Sequence, residues 1–437
     1  MGTTSHFFAS HLPGLRMSSL RVLVVACVSL CCVWPLLGDD VVSTGKSRPE
    51  LQPFDQVMID FLKQHELPGA ALAIGRQGKL IYARGYGLAD VDARQPVQPE
   101  SLFRIASISK PITAVAILKL VQEQRLKLDD KAFSFVKLAP HLDDGVEPDA
   151  RLADITIRQL LQHTGGWDRD KSFDPMFFSV KFAKALDVAP PAQPEHVIRY
   201  MMGQPLDFAP GERYAYSNFG YCVLGRIIEA VTKQPYEKYV QAEILKPLSI
   251  TTMRVGRTRL AGRLENEVRY YSKKPLTGAS VFAEDLGTQV PNPYGAWYLE
   301  AMDSHGGWIA SAPDLVKFIM TFDQSSPQHL LNDETFPLMI ERPTGRAGHK
   351  ADGQLLDVYY GLGWLVRPHL EGTTVNIWHN GSLPGTSTIL VHRQKLDLSW
   401  AVLFNSRDAD PAPSGQIEPL LHEATKKIKE WPSSLDE

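Results

Sequence analysis

Three short clusters in this sequence carry the groups that acyl transfer needs. In Ser107-Ile108-Ser109-Lys110 a hydroxyl and an amine stand three residues apart, and Pro111 follows directly. Proline is tolerated only in the first turn of a helix. The apolar positions Ile112, Val115, Ala116, Leu118 and Val121 therefore predict a helix with Ser107 and Lys110 at its N-terminal end. Side chains at that spacing share a face, and the positive end of the helix dipole favours a developing alkoxide or oxyanion there. A serine hydroxyl is a poor nucleophile at neutral pH, and a partly desolvated lysine beside it can supply or assist the base. Alone, a Ser-x-x-Lys reads more simply as a helix N-cap followed by a surface lysine. A second copy, Ser43-Thr44-Gly45-Lys46, falls in a polar stretch and reads as accidental.

Two further clusters change that balance. Tyr216-Ser217-Asn218 follows Gly211-Glu212-Arg213-Tyr214 and precedes Phe219-Gly220-Tyr221, which places it on a loop just ahead of another helix. His379-Asn380-Gly381 ends one β-rich run and precedes Gly385 and the next, so its backbone is expected along the edge of a cleft. Each also has a plainer reading, with Tyr216 as a packed aromatic, Asn218 as a helix cap and Gly381 as a bulge. Other chemistries lack their signatures. There is no Gly-x-Ser-x-Gly elbow, no Walker loop and no Gly-x-Gly-x-x-Gly run, and His422-Glu423-Ala424-Thr425-Lys426 lacks the second histidine of a metalloprotease helix. Neither a metal nor an organic cofactor is expected.

The elements that must position these clusters come from both ends of the chain. Phe54, Val57, Phe61 and Leu62 fall at helical spacing in a first helix that ends near Glu66-Leu67-Pro68-Gly69. Residues 70–74, a Gly75-Arg76-Gln77-Gly78 turn and residues 79–86 predict a β-hairpin. Residues 373–378, 386–393 and 396–404 are three more β-rich runs, followed by a helical stretch over about 417–431. The middle, about 105–350, reads as mostly helical with many Pro and Gly interruptions. The expected fold class is α+β: an antiparallel sheet built from the N- and C-terminal segments with flanking helices, carrying a large helical insertion. The expected division is a linker over 39–53 and a single domain over 54–432, its α/β part about 54–110 and 355–432 and its helical part about 111–354. The site is expected at the seam between the two parts.

Composition narrows the partners. The 437 residues include 46 Lys plus Arg against 49 Asp plus Glu, with 44% hydrophobic and 22% charged residues, which excludes disorder and disulfide-stapled mini-proteins. A net charge of −3 without a basic block argues against nucleic acid or anionic lipid as the main partner. Arg16 and Arg21 precede an apolar run over 22–37, and no acidic residue occurs before Asp39. Residues 1–38 therefore read as a secretory signal peptide and the protein as exported, periplasmic or extracellular. The alternative is a membrane anchor over 22–37, although the run falls short of the ~20 residues that span a bilayer. Cleavage would remove Cys27, Cys31 and Cys32 and leave Cys222 alone, with no internal disulfide.

The ordered set Ser-x-x-Lys, Tyr-x-Asn, His-x-Gly resembles the serine β-lactamase and penicillin-binding protein family, especially its class C and esterase-like branch. The resemblance extends to Gly85-Tyr86-Gly87-Leu88-Ala89-Asp90, to 155–161 with His163-Thr164-Gly165-Gly166, to Gly306-Gly307 with Asp314-Leu315 behind it, and to Tyr360-Gly361-Leu362-Gly363-Trp364. It implies that Ser107 is the acylated nucleophile, that Lys110 holds it and tunes proton transfer, and that Tyr216 is the general base. It further implies that Asn218 positions substrate and hydrogen-bonds the lysine, that the Ser107 and Ser382 N–H groups form the oxyanion hole, and that Gly381 leaves room for the acyl chain. His163 is left without chemistry, as a structural residue in a turn. The departure is His379, which stands where true β-lactamases carry lysine and is mostly neutral near pH 7. Small-molecule esters or D-amino-acid-containing peptides are accordingly expected as substrates ahead of β-lactams. A module that only binds cell-wall peptides or a protein partner is the alternative, and it would place no demand on a matched nucleophile and base.

Overall fold

In the computed structural model, which describes residues 40–274, 276–369, 373–409 and 411–435, the two ends of the chain share one sheet. The segment 1–38, expected as a leader, lies outside the described residues. The hairpin forms as Gly69–Arg76 and Lys79–Asp90, and its turn is shorter than expected, only Gln77 and Gly78. Both have positive φ, 51° and 71°, the backbone twist that matches two flanking strands. The C-terminal strands Leu398–Phe404, Thr386–Arg393 and Val375–Leu383 add in that order beside Gly69–Arg76, followed by Leu365–Pro368 and Tyr359–Tyr360. Ser43–Thr44 and Gln95–Pro96 pair with Lys79–Asp90 to complete nine antiparallel strands.

Side-chain alternation divides the interior into two cores. Ala70, Leu72 and Ile74 of Gly69–Arg76 pack with Phe54, Met58 and Phe61 of the helix Gln52–His65 and with Ile417 and Leu421 of the helix Pro413–Lys427. Ala71 and Ala73 face the opposite core with Val115, Leu315, Val316 and Phe318. Because helices cover both faces, these strands read as unbroken apolar runs and not as an alternation of apolar and polar residues.

Three expectations are corrected. Of the expected linker 39–53, residues 41–53 are packed and not a free linker: Ser43–Thr44 pairs with Tyr86 and Gly85, and Leu51 is fully buried. The His379-Asn380-Gly381 motif does not end its strand, which continues to Leu383 in register with Thr386, the turn falling at Pro384 and Gly385. The region 111–354 is less helical than expected. It contains the strands Arg254–Val255, Thr277–Ala279, Gln289–Pro291 and Trp308–Ala310, and its helix Ala312–Ile319 packs on the main sheet. Trp308–Ala310 pairs with Phe103–Arg104 just ahead of the Ser-x-x-Lys turn. There the buried Arg104 guanidinium donates to the carbonyls of Pro293, Arg257 and Thr258 and lies 4.4 Å from the Tyr270 ring centre.

Candidate active site

Ser107 sits in a single 3-10 turn, Ala106–Ile108, that runs into the helix Ser109–Gln122. Ala106 holds φ at 48°, a left-handed conformation that a non-glycine residue keeps only where its surroundings impose it. The surroundings are specific. Thr386 Oγ1 donates to the Arg104 carbonyl at 2.9 Å, Thr388 Oγ1 to the Ile105 carbonyl at 3.0 Å, and Ser109 Oγ to the Ala106 carbonyl at 2.7 Å. A Cβ on Gly381 would lie 2.2 Å from the Ile105 oxygen and 2.3 Å from Thr388 Oγ1. The space at Gly381 is therefore filled by the turn that carries Ser107, and the expectation that it admits the acyl chain is corrected.

Lys110 is fully buried. Its Nζ lies 3.3 Å from Ser107 Oγ, 2.7 Å from Asn218 Oδ1 and 2.9 Å from the His305 carbonyl oxygen, three uncharged partners. Burial holds the amine well below the usual lysine range, while Asp174 opposes that shift and Arg169 adds to it. Asn218 begins the helix Asn218–Thr232, and its Nδ2 donates to Asp174 Oδ2 at 2.6 Å.

Tyr216 precedes the N-cap of the same helix, where Ser217 Oγ accepts from the Gly220 amide. Burial pushes its phenol well above the usual tyrosine range, and a hydrogen bond with Ser107 pulls the other way. Two basic groups approach its ring, Lys110 Nζ at 4.7 Å and the Arg169 guanidinium at 4.8 Å from the centre. His163, expected to be structural, packs against Tyr216. Its Nδ1 accepts the Ser217 amide at 3.1 Å, and its ring lies 4.4 Å from that of Tyr216 and 4.5 Å from that of Tyr360. Burial first, then Lys110, keeps the His163 imidazole neutral.

His379 is almost fully buried, and burial, with Lys110 nearby, pushes its imidazole down to about 3. The Asn380 carbonyl, 2.7 Å from His379 Nδ1, can only accept, so Nδ1 carries the proton and Nε2 accepts from the Tyr360 hydroxyl at 2.9 Å. All seven expected site residues meet at one place. Ser107, Tyr216, Asn218, His379, Gly381 and Ser382 line a cavity of about 500 Å³, and Lys110 lies behind Ser107. The second Ser-x-x-Lys is on the edge strand, away from this cavity. Sequence reasoning missed Arg169, Asp174 and the His305 carbonyl. Only Gly306-Gly307, next to His305, had been singled out, and no periodicity or motif marks the other two.

The Beta-lactamase family model matches residues 54–421. Protein flp of Staphylococcus aureus (strain COL) is 34% identical over 359 residues, 81% of this chain and 63% of that protein, so this chain spans less than two thirds of that relative. Esterase EstB of Burkholderia gladioli is 34% identical over 200 residues, 45% of this chain and 49% of the esterase. The structure of the octameric penicillin-binding protein homologue from Pyrococcus abyssi has a TM-score of 0.64 at 26% identity and covers 88% of this chain and 79% of that one. The Ser107 turn, the buried lysine and the Tyr-x-Asn segment converge on one cavity, and with the family model matched over most of its length the chain belongs to the Beta-lactamase family.

Proposed function

We propose that this protein cleaves ester or amide bonds through an acyl-enzyme on Ser107, with esters or D-amino-acid-containing peptides as substrates ahead of β-lactams. One observation carries the reading: a fully buried lysine amine rests on the serine hydroxyl, and its other two partners are acceptors. A neutral amine has two N–H bonds and one lone pair. Once Lys110 has lost its proton, the Asn218 and His305 oxygens can take both N–H bonds, which leaves the lone pair for Ser107. The Ser107 proton passes to the Lys110–Tyr216 pair as Oγ bonds to the acyl carbon. The oxyanion is held by the Ser107 and Ser382 N–H groups, and the pair returns the proton to the leaving alcohol or amine. Water then repeats the sequence on the acyl-enzyme and releases the acid. His379, neutral and turned to Tyr360, supplies no fixed charge for a substrate carboxylate, which favours esters over β-lactams.

Intact-mass spectrometry of residues 39–437 after incubation with a fluorophosphonate, a penicillin and a p-nitrophenyl ester tests this, with Ser107→Ala alongside. A single adduct that vanishes in the variant supports the reading, and the reagent that turns over separates esterase from penicillin-binding behaviour. No adduct from any reagent in folded protein would overturn it in favour of a binding module. We also propose that residues 1–38 are a leader removed on export. N-terminal sequencing of protein recovered outside producing cells supports this with a start near 39 and refutes it with an intact N-terminus.

A further inference from the structure

The loop over residues 168–174 carries two opposite charges to the reactive pair, and nothing in the roles described above uses either. Its base is fixed. The Asp168 amide donates to Asp207 Oδ2 at 2.8 Å, Ser172 Oγ to the same oxygen at 3.0 Å, and Lys171 Nζ to the Asp207 carbonyl at 2.9 Å. Arg213 pairs with Asp168 at 2.8 Å. From this base Arg169 reaches over the Tyr216 ring, and Asp174 reaches Asn218. Both oxygens of Asp174 are engaged, Oδ1 by the Met176 amide at 3.2 Å and Oδ2 by Asn218 Nδ2 at 2.6 Å.

The two ends of an amide differ only in hydrogen bonding, so something must choose which end of Asn218 faces Lys110. A carboxylate accepts and cannot donate, and it therefore binds the NH2 end. The carbonyl end is left for the lysine. With the amide reversed, two sets of N–H donors would meet, and the lone pair of Lys110 would no longer be reserved for Ser107. We propose that Asp174 and Arg169 are paired positioning residues of this site. Asp174 fixes the orientation of Asn218 and so aims the Lys110 amine at Ser107, and Arg169 holds Tyr216 and biases it toward giving up its proton. This rests on the acyl-enzyme reading above.

The opposite charges give the proposal a signature that a purely structural role lacks. The other titratable groups around Lys110 and Tyr216 are His163, His305 and His379, kept neutral by burial, and Tyr214, Tyr221 and Tyr360, whose phenols burial pushes up. Arg407 lines the same cavity. Asp174 raises the affinity of both Lys110 and Tyr216 for a proton, and Arg169 lowers it for both. The sign of each effect therefore holds whichever of the two takes the Ser107 proton.

The test is the rate of Ser107 labelling by a fluorophosphonate between pH 5 and pH 10 for the full chain, Asp174→Asn, Asp174→Ala and Arg169→Gln, with folding checked by circular dichroism. Labelling rises as the base loses its proton. Removing the carboxylate should move that rise to lower pH by about 0.5–1 unit, and removing the guanidinium should move it to higher pH by a similar amount. Asp174→Ala, which also loses the acceptor, should lower the plateau rate about tenfold further than Asp174→Asn. Should the alanine variant fail to fold, the near-isosteric Asn variant still carries the pH test. Profiles that superimpose on the parent, or that shift in the same direction for both charges, overturn the proposal while Ser107 labelling stands. Absence of labelling in the parent chain overturns the acyl-enzyme reading and this proposal with it.

Discussion

Adding one methyl group at Gly381 should disable the site without touching any reacting atom. In Gly381→Ala the new Cβ would sit 2.2 Å from the Ile105 carbonyl oxygen, whereas real Cβ contacts stay above 3.0 Å, so the gap must open by at least 3.0 − 2.2 = 0.8 Å. Neither side yields easily. The Ile105 oxygen is tied to Thr388 Oγ1 at 3.0 Å, Thr388 Oγ1 itself would lie 2.3 Å from the new carbon, and the strand carrying Gly381 is paired along its length to Thr386–Arg393. The shift therefore falls on the turn that presents Ser107, relative to Ser382 across the cavity. Misplacing a reacting group by ~1 Å costs ~10²-fold in rate, and forcing an extra carbon into a packed interior costs ~1–3 kcal/mol. The assay is the second-order rate of fluorophosphonate labelling of Ser107, paired with urea unfolding of the same preparation. An alanine variant that labels at the parent rate and unfolds at the parent urea midpoint would refute the claim that Gly381 seats the turn carrying Ser107.

Other outcomes follow from the same geometry. Lys110→Met keeps an unbranched side chain, one atom shorter, and removes the amine, so Ser107 labelling should fall ~10²–10⁴-fold while the protein stays folded, read by intact mass and circular dichroism. His163, His305 and His379 all bind protons more weakly when folded than the ordinary histidine value of 6.5, so the unfolded chain takes up more protons as pH falls through that value. Stability is present above pH 6.5 and is lost on acidification, by up to ~1.4 kcal/mol per pH unit for each histidine, and a urea midpoint equal at pH 7.5 and pH 5 would contradict this. Asp55 accepts from the Tyr82 and Tyr86 hydroxyls, each at 2.6 Å, and pairs with Arg84 at 3.0 Å between the first helix and the hairpin. Asp55→Ala leaves that cation buried without its partner and should cost ~3–5 kcal/mol in urea unfolding, with the labelling rate of the remaining folded protein unchanged.

The parts of this molecule legible in the sequence are those where one residue type has one physical use. Pro111 strongly favours a first helical turn, and it placed Ser107 and Lys110 at the N-terminal end of their helix. Gly78 and the apolar runs on either side marked the hairpin, and the three C-terminal runs marked the rest of the sheet. Elements whose cause is tertiary were not legible. The 39–53 stretch is polar enough to read as a linker, yet two residues of strand pairing and the burial of Leu51 hold residues 41–53 down. Trp308–Ala310 is three residues long and exists because Phe103–Arg104 and Arg254–Val255 lie on either side. In the site, the contact of Lys110 with residue 305 is through a carbonyl that every residue type carries, so no letter of the sequence announces it. Arg169 and Asp174 are ordinary surface letters until the ties to Asp207 and Arg213 bring their loop over the cavity. Gly381 was found for its type and misread in its use, because which atoms occupy the space beside a glycine is a property of packing.

The hydroxyls of Thr386 and Thr388 reach carbonyls 282 and 283 residues earlier in the chain, and this has a consequence during synthesis. The turn that shapes Ser107 leaves the ribosome long before the strand that fastens it. At ~5–20 residues per second the nascent chain waits ~15–55 s between the two, holding a serine and a lysine that have no defined geometry. A product cut short between residues 110 and 386 keeps its Ser-x-x-Lys but lacks the threonines that fasten the turn around Ala106, and under the acyl-enzyme reading it should not label. If Ser107 is the reacting serine as proposed, fluorophosphonate reactivity would report closure of the sheet, and a pulse-labelled chain should become reactive only once its last strands have emerged.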